Sequence, residues 1–391
     1  MKAKIERNVM DDIVNAALRT AECIRVCSLE LAKSELESAL VLAKCYGEFL
    51  RYNYIGVLAD IAFEEQFVQR FSFLADGLTN NTEFDTLHLM TTAYVYGGHT
   101  RAVERFLSGG LGDGLATLDK LPKQVSDKIP CNVQIYDGLR QQSGVATIKK
   151  ILEIASRFKF VILHIHPEDI YSAIAAGLLA KLGVKVYLYN HADHGFSFGY
   201  FAAEKVLEIS KYGWVRGAKR GIEHKQTFVG IPIPIWERKQ ERSIDGVPTI
   251  RGLFAGSAGK FFPWSSFSAP EFLNQWFHSS DNSKKVEFII CGPTGREGYW
   301  RILDSIAADK VVFLGAVPHV EYVNLLSTCD FYVDSFPQGN GTGFVEAVML
   351  GIPSFGMDLL AGSSPADVLR SSSVPELIDR LNWFIADKKA V

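Results

Sequence analysis

The fold of this chain is decided by residues 330–357, which read DFYVDSFPQGNGTGFVEAVMLGIPSFGM. The apolar run 331–333 predicts a short strand, with Asp334 at its carboxyl end. Proline and glycine residues then predict a tight loop. Apolar spacing over residues 342–350 predicts a helix, and residues 352–355 begin another strand. The order strand, loop, helix, strand indicates an α/β domain with a parallel sheet.

The loop before the predicted helix is a candidate anion site. Free backbone N–H groups and the helix dipole converge at the amino terminus of a helix. Gly341 and Gly343 would let a phosphate approach the backbone, and Thr342 offers a hydroxyl donor. Glu346 lies one turn further on, where a carboxylate could accept hydrogen bonds from a ribose diol. The alternative is an ordinary strand–helix connection, since glycine-rich turns are common.

Composition narrows the class of protein. The 391 residues are enough for two or three domains. A net charge of −3 argues against general binding to nucleic acids or anionic membranes. No run of about 18 apolar residues occurs, so no membrane span is expected. The first residues lack the apolar core of a signal peptide, and the six cysteines include no Cys-x-x-Cys pair. A reduced, cytoplasmic protein is therefore expected.

Changes in pattern along the chain predict three domains. Residues 1–84 have apolar residues at helical spacing and form a helical amino-terminal domain, which could mediate self-association. Strands and helices alternate over residues 85–240, and again over residues 241–391, after a proline-rich and charged linker at 231–248. Two doubly wound, Rossmann-like domains are predicted, with their strand carboxyl ends facing a shared cleft where ligands would bind.

Three stretches in the second half resemble GT-B glycosyltransferases, which hold a nucleotide sugar mainly in the carboxyl-terminal domain. They are GSAGKFFP at 256–263, FLGAVPHVEY at 313–322 and DSFPQGNGTGFVE at 334–346. The last is most similar to glycosyltransferase family 41, the group of O-linked N-acetylglucosamine transferases and bacterial cytoplasmic N-glycosyltransferases. The resemblance covers about residues 250–360, and the amino-terminal half only by architecture. It implies a GT-B fold.

The resemblance also implies a donor site. Lys260 resembles a lysine that contacts the diphosphate, Gly341-Thr342-Gly343 resembles the segment that holds the β-phosphate, and loop 313–322 resembles the loop whose backbone pairs with uracil. The residues expected to bind the nucleotide sugar are Gly98, Ser257, Lys260, Val317, His319, Tyr322, Asn340, Gly341, Thr342, Gly343 and Glu346. A lysine and a helix amino terminus can stabilise a departing diphosphate without a metal ion. We therefore expect a UDP-sugar as donor substrate, no cofactor and no metal.

Histidines follow several predicted strands of the first α/β domain. His99 lies in a glycine-rich strand–helix loop and His191 follows a later strand. A histidine can accept a proton near neutral pH, so both are predicted catalytic residues. A structural role in the turn is the alternative for His99. These histidines also resemble a zinc site, but the spacing forces no set of three ligands; the candidate ligands are His164, His166, His191, Asp193 and His194.

The sequence thus predicts a metal-independent glycosyltransferase that moves a hexose or N-acetylhexosamine from a UDP-sugar to a protein or glycan acceptor. Many retaining GT-B enzymes carry two glutamates eight positions apart. Gln338 replaces the first of them here and Glu346 keeps the second, which favours inversion. The alternatives are a retaining GT-B enzyme, an isomerase similar to UDP-N-acetylglucosamine 2-epimerase, and a non-catalytic scaffold. An isomerase would need acidic groups beside the sugar and no acceptor surface.

Overall fold

The structure, a computed structural model, describes residues 2–95, 97–234, 236, 250–263, 268–279, 285–304, 309–358 and 370–387. The chain folds into two compact units, Met1–Pro232 (unit 1) and Ile233–Val391 (unit 2). The domain boundary predicted after residue 240 lies outside the described residues. In the part of the chain that the structure describes, no helix is long and apolar enough to cross a membrane.

Three helices precede the first strand of unit 1. They are α1 (Lys2–Leu31), α2 (Leu36–Asn53) and α3 (Ile61–Arg70). They share one hydrophobic core with the helices and strands that follow, in which Phe63 and Phe67 of α3 are fully buried. Glu64 of α3 is also buried and accepts a hydrogen bond from the backbone N–H of Gly199 at 2.7 Å. The amino-terminal helices are therefore part of the folded core of unit 1.

The remainder of unit 1 alternates between strands and helices. The strands are β1 (Phe84–Met90), β2 (Gly114–Thr117), β3 (Gln134–Tyr136), β4 (Phe158–His164), β5 (Lys185–Tyr189), β6 (Lys205–Glu208) and β7 (Gln226–Phe228). The helices are α4 (Gly98–Ser108), α5 (Lys123–Ser126), α6 (Gly144–Ala155), α7 (Ile170–Lys181), α8 (Lys211–Val215) and α9 (Gly217–Arg220). The strands form one parallel sheet in the order β3-β2-β1-β4-β5-β6-β7. The strand order reverses between β1 and β4, where open α/β sheets bind their ligands.

Unit 2 contains a second parallel sheet. Its strands are β8 (Ile250–Ala255), β9 (Val286–Cys291), β10 (Val311–Gly315), β11 (Phe331–Asp334) and β12 (Ser354–Phe355). Its helices are α10 (Ala269–Ser279), α11 (His319–Ser327), α12 (Gly341–Met349) and α13 (Val374–Asp387). The strand order is β10-β9-β8-β11-β12, so the reversal lies between β8 and β11. The predicted strand, loop and helix at residues 331–350 thus sit at the reversal.

Both faces of the second sheet are buried, as expected for a parallel sheet covered by helices. Successive residues of a strand point to opposite faces. Phe254 accordingly packs with Phe288 and other aromatic side chains on one face, while Leu253 packs with Tyr332 and Phe344 on the other. Packing on both faces holds β8 and β11 in the middle of the unit, and these strands position the loops that follow them.

Candidate functional site

In unit 2, a lysine ammonium group lies beside the amino terminus of α12. Lys260 Nζ donates to the carbonyl oxygen of Gly339 at 3.1 Å and lies 3.4 Å from Asn340 Oδ1. Asn340 precedes the helix but does not cap it, because its Oδ1 is directed to Lys260 Nζ; its Nδ2 donates to the carbonyl oxygen of Ala255 at 3.2 Å. The first N–H groups of α12 therefore have no hydrogen-bond acceptor among the described residues. A cation beside free N–H groups is an arrangement suited to a phosphate.

A buried carboxylate holds this loop in place. Asp334, the last residue of β11, accepts hydrogen bonds at Oδ1 from the backbone N–H groups of Ser335 at 3.0 Å and Asn340 at 2.9 Å. Its Oδ2 forms an ion pair with Arg370 Nη2 at 2.8 Å. Asp334 is fully buried. The paired carboxylate fixes where α12 begins, although it does not itself face a ligand.

The charge of Lys260 is sensitive to what binds beside it. Burial lowers the pKa of this lysine below its ordinary value, Arg370 lowers that pKa further by repulsion, and Asp334 opposes both. A bound anion would stabilise the ammonium form and raise the pKa of Lys260 again. The loop before Lys260 begins with Ser257, which is exposed.

A second group of predicted residues meets where the first turn of α11 lies against the second turn of α12. His319, the first residue of α11, donates from Nε2 to Glu346 Oε1 at 3.0 Å. Glu346 is only 2% exposed. Val317, in the loop before α11, packs against the same hydrophobic cluster as Tyr322. The structure therefore brings together four residues that the sequence assigned to nucleotide binding.

Close packing under the start of α12 requires a glycine. A Cβ atom on Gly343 would lie 2.6 Å from Asn340 Nδ2, 2.9 Å from the Tyr332 hydroxyl and 3.1 Å from the Tyr322 hydroxyl. The Tyr322 hydroxyl is buried and has no hydrogen-bond partner among the described residues. At this end of the helix, Gly341 is exposed and Thr342 is half-buried. Tyr322 thus lies beneath the helix start, and the other two lie on its accessible side.

In unit 1, three histidines form a chain of hydrogen bonds on one face of the sheet, where the strand order reverses. His191 Nε2 lies 3.0 Å from His164 Nδ1, and His164 Nε2 lies 2.9 Å from His88 Nδ1. The chain ends at the carbonyl oxygen of Leu111, 2.7 Å from His88 Nε2. His88 and His164 are buried, while His191, just after β5, is half-buried.

His99 lies against this chain in the first turn of α4. Its ring centroid is 4.0 Å from that of His191, with the two ring planes at 84°. Its Nε2 is buried without a hydrogen-bond partner among the described residues. Burial first, and then repulsion from His166, lowers the pKa of His99 to about 4. Gly98, predicted to bind the donor, is the exposed first residue of α4.

The arrangement of the histidines also bears on metal binding. Within the described residues, no group of three or more His, Cys, Asp or Glu side chains could hold a metal ion. His88, His164 and His191 instead point their ring nitrogens at one another.

A cavity of about 190 Å³ lies in unit 1 beside the loop that carries His191. Three of its lining residues, His194, Gly195 and Phe196, belong to that loop. Others, including Leu50 and Tyr54, come from α2 and the turn after it, and Arg216 and Lys219 add positive charge. The amino-terminal helical segment and the histidine loop therefore line the same cavity.

Comparison with known proteins gives structural matches only. No protein-family model matches the chain, and no curated protein sequence matches it. The chain is similar to the lipopolysaccharide outer core galactosyltransferase WaaB in its apo form, at 14% identity and a TM-score of 0.56, over 78% of this chain and 91% of that one. The structure of Anabaena HepE in complex with UDP and glucose gives 14% identity and a TM-score of 0.57 over the same shares.

A mutant O-GlcNAc transferase from Thermobaculum terrenum matches at 12% identity and a TM-score of 0.54, over 96% of this chain and 74% of that one. The chain has two parallel sheets covered by helices, and it matches these three structures with TM-scores above 0.5. Together these observations establish its fold. The chain has a GT-B fold. The match to the Thermobaculum structure must include most of the amino-terminal helices of this GT-B chain, since residues 1–84 exceed a fifth of its length. The narrower resemblance to family 41 stays a prediction.

Sequence reasoning missed three side chains that shape these GT-B sites. His88 lies inside β1 between two buried leucines, so it was indistinguishable from a core position. Arg370 is far from Asp334 in sequence, and nothing local marked the ion pair. Asp334 itself was noted at the end of its strand, but its role in holding the loop was not predicted. A lone carboxylate after a buried strand was the available signal.

Proposed function

We propose that this protein is a glycosyltransferase that uses a UDP-sugar as donor. The placement of Lys260 beside the uncapped amino terminus of α12 carries the proposal. Transfer of the sugar leaves negative charge on the nucleoside diphosphate. A lysine and oriented N–H groups stabilise this charge more in the transition state than in the bound substrate, because the charge on the diphosphate grows as the bond to the sugar breaks. This difference lowers the barrier to transfer. The similarity to HepE, solved with UDP and glucose, and to the galactosyltransferase WaaB supports this class of donor.

In this proposal unit 2 binds the nucleotide. Lys260, Thr342 and the first N–H groups of α12 contact the diphosphate. Glu346, held by His319, accepts hydrogen bonds from the ribose hydroxyls, and the backbone near Val317 pairs with uracil. Because the lysine and the helix neutralise the leaving group, no divalent cation is required.

Unit 1 supplies the chemistry of the acceptor. His191 lies in the loop after β5 and His99 in the first turn of α4, and a neutral histidine at either position can take a proton from the attacking group. The loop that carries His191 also lines the cavity of unit 1, together with α2 and the segment that follows it, and we assign the acceptor to this part of unit 1. We propose a protein or glycan acceptor and transfer with inversion.

Calorimetry with UDP, GDP and CDP tests the donor class. We expect UDP to bind most tightly, and Lys260→Ala to weaken UDP binding by about 1–3 kcal/mol, the scale of a lost charge-assisted hydrogen bond. Lys310→Ala is the matched control, because Lys310 precedes β10 and so lies at the amino-terminal ends of the strands, whereas the donor site lies at their carboxyl ends. Equal binding of the three nucleotides, or equal affinity in both variants, would contradict the proposal.

Activity is measured as release of UDP together with appearance of the labelled sugar on a panel of peptides and glycans. Transfer to an acceptor is the expected result. Conversion of the sugar without its transfer would instead identify an isomerase.

A further inference from the structure

The hydrogen-bond chain in unit 1 can run in one direction only. The carbonyl oxygen of Leu111 can only accept, so His88 Nε2 carries the hydrogen and donates to it. A neutral imidazole has one donor and one acceptor, so His88 Nδ1 must accept from His164 Nε2. By the same logic His164 Nδ1 accepts from His191 Nε2. Each ring is thereby assigned the tautomer with hydrogen on Nε2.

The chain is neutral at physiological pH. Burial lowers the pKa of His88 to about 4 and holds the pKa values of His164 and His191 well below their ordinary range. The ionisable groups that act on His191 are histidines, namely His99 on α4, His164 at the end of β4 and His166 in the loop after it, and they lower its pKa further. The neutral tautomers derived from the hydrogen bonds are therefore the populated ones.

We propose that His164 and His88 are positioning residues that fix the tautomer of His191, so that His191 Nδ1 is the atom that takes the proton of the acceptor. This inference rests on the proposed transferase function. His191 is half-buried, and its Nδ1 has no hydrogen-bond partner among the described residues. His99 is the poorer base, because its Nε2 is buried among the described residues and an acceptor hydroxyl cannot reach it. Its ring instead packs edge-on to His191 and holds that ring in place.

The step balances as follows for a hydroxyl acceptor. The acceptor O–H gives its proton to His191 Nδ1, and its oxygen bonds to the anomeric carbon of the sugar. The bond from that carbon to the phosphate oxygen breaks, and UDP leaves with the bonding electrons. The imidazolium keeps donating from Nε2 to His164. Since the chain ends at an amide carbonyl, which does not take up the proton, the proton returns to solvent from Nδ1.

Nitrogen NMR of the full chain with labelled histidine tests the tautomer without using activity. We expect His191 to carry hydrogen on Nε2 and none on Nδ1 near neutral pH. In His164→Leu the acceptor is lost, and His191 should become a mixture of tautomers. In His164→Asn the side-chain oxygen takes the place of Nδ1, and the tautomer should be retained. His224→Leu, at an exposed histidine of unit 1, should change nothing.

Kinetics on the same variants test the consequence. His191→Ala should lower kcat at least ~100-fold, the usual range for loss of an acid–base group. His164→Leu should lower kcat about tenfold, as for one lost hydrogen bond, with little change in KM for the donor, and His164→Asn should recover most of the rate. Hydrogen on Nδ1 of His191 in the parent would overturn the inference. So would an unchanged tautomer and rate in His164→Leu. If that variant does not fold, the parent and His164→Asn decide.

The two proposals fail separately. Absence of sugar transfer with every donor and acceptor would refute the transferase function, while the nitrogen shifts would still decide which tautomer His191 adopts.

Discussion

His319 Nε2 lies 3.0 Å from Glu346 Oε1, and this contact joins the first turn of α11 to the second turn of α12, two helices that are separated by β11 in the chain. Glu346 is almost fully buried, so its carboxylate needs a donor within the protein. His319 provides that donor. The pair is therefore a structural link between α11 and α12, and in the proposed function it is also the group that recognises the ribose.

Replacement of Glu346 tests that recognition. Glu346→Ala should weaken UDP binding by about 1–3 kcal/mol, since charge-assisted hydrogen bonds to the ribose are lost. The loss should be smaller for 2′-deoxy-UDP and smaller still for the dideoxy analogue, which lack the hydroxyl donors. Calorimetry with the three nucleotides measures this difference. Glu321→Ala, at an exposed position of α11, is the control. Equal losses for all three nucleotides would remove the ribose role.

We expect alanine at position 343 to destabilise the protein, because the packing around Gly343 leaves no room for a Cβ atom. Alanine in place of glycine usually stabilises a helix by about 1 kcal/mol. At Gly343, however, the added Cβ atom would lie 2.6 Å from Asn340 Nδ2 and 3.1 Å from the Tyr322 hydroxyl. The start of α12 must then shift, so we expect Gly343→Ala to lower both the free energy of unfolding and the affinity for UDP, the latter about tenfold.

Urea unfolding and calorimetry on Gly343→Ala measure these two effects. Gly298→Ala is the matched control, because a Cβ atom there meets nothing within 4 Å. A variant at position 343 that is more stable than the parent and binds UDP equally well would show that the close packing is unimportant.

The donor loop could be predicted because its determinants are local. Within residues 331–350, an apolar run predicts a strand, proline and glycine residues predict a loop, and apolar residues at helical spacing predict a helix. The structure confirms that order. The alternation of strands and helices likewise predicted two doubly wound domains, and the GT-B fold followed from the resemblance of the motifs within residues 250–360. These signals are read within a few residues of one another.

The histidine chain could not be predicted because it depends on pairing between strands. The strand register pairs Met90 of β1 with His164 of β4, which sets His88 on the same face of the sheet as His164. Nothing in the neighbourhood of His88 in the sequence specifies that register. His99 and His191 were named as candidates from their loops alone, and their ring contact follows from the same tertiary packing.

Removal of metal ions tests the chemistry proposed for Lys260. We expect turnover to persist in excess chelator, because the lysine and the amino terminus of α12 stabilise the leaving diphosphate. The measurement is the transfer rate before and after chelation, and again after a divalent cation is restored. Complete loss of activity that the cation reverses would show that a metal ion carries this charge instead.

Because Glu64 is buried, we expect the free energy of unfolding to fall as the pH rises. Burial raises the pKa of this carboxyl to about 8, although backbone N–H groups including that of Gly199 oppose the shift. Between about pH 5 and pH 8 the folded chain keeps this proton while the unfolded chain loses it. Folding therefore loses about 1.4 kcal/mol per pH unit from this group. Glu64→Gln should remove that slope, whereas Glu65→Gln, at the exposed neighbour, should keep it. Parallel urea-unfolding profiles for parent and Glu64→Gln would show that the carboxyl is ionised in the fold.

The buried histidines predict the opposite dependence at lower pH. The pKa values of His88 and His99 are lowered to about 4, chiefly by burial. As the pH falls from about 6.5 to about 4, these histidines become protonated in the unfolded chain but stay neutral in the folded chain. The free energy of unfolding therefore decreases. Each such histidine contributes about 1.4 kcal/mol per pH unit. His164 and His191, whose pKa values are also lowered, add to the effect. Four histidines outweigh the opposing slope of one glutamate, so the stability of unit 1 should decrease in acid.

His88→Asn isolates one member of that set. Its side-chain oxygen can still accept from His164, but the group no longer titrates. The free energy of unfolding, measured by urea between about pH 6.5 and pH 4.5, should fall less steeply than in the parent, by about 1.4 kcal/mol per pH unit. His224→Asn serves as control at an exposed histidine. If parent and His88→Asn lose stability in parallel, His88 is protonated in the folded chain. Its Nδ1 would then carry a hydrogen and could not accept from His164, and the direction of hydrogen bonding derived for the histidine chain would be wrong as well.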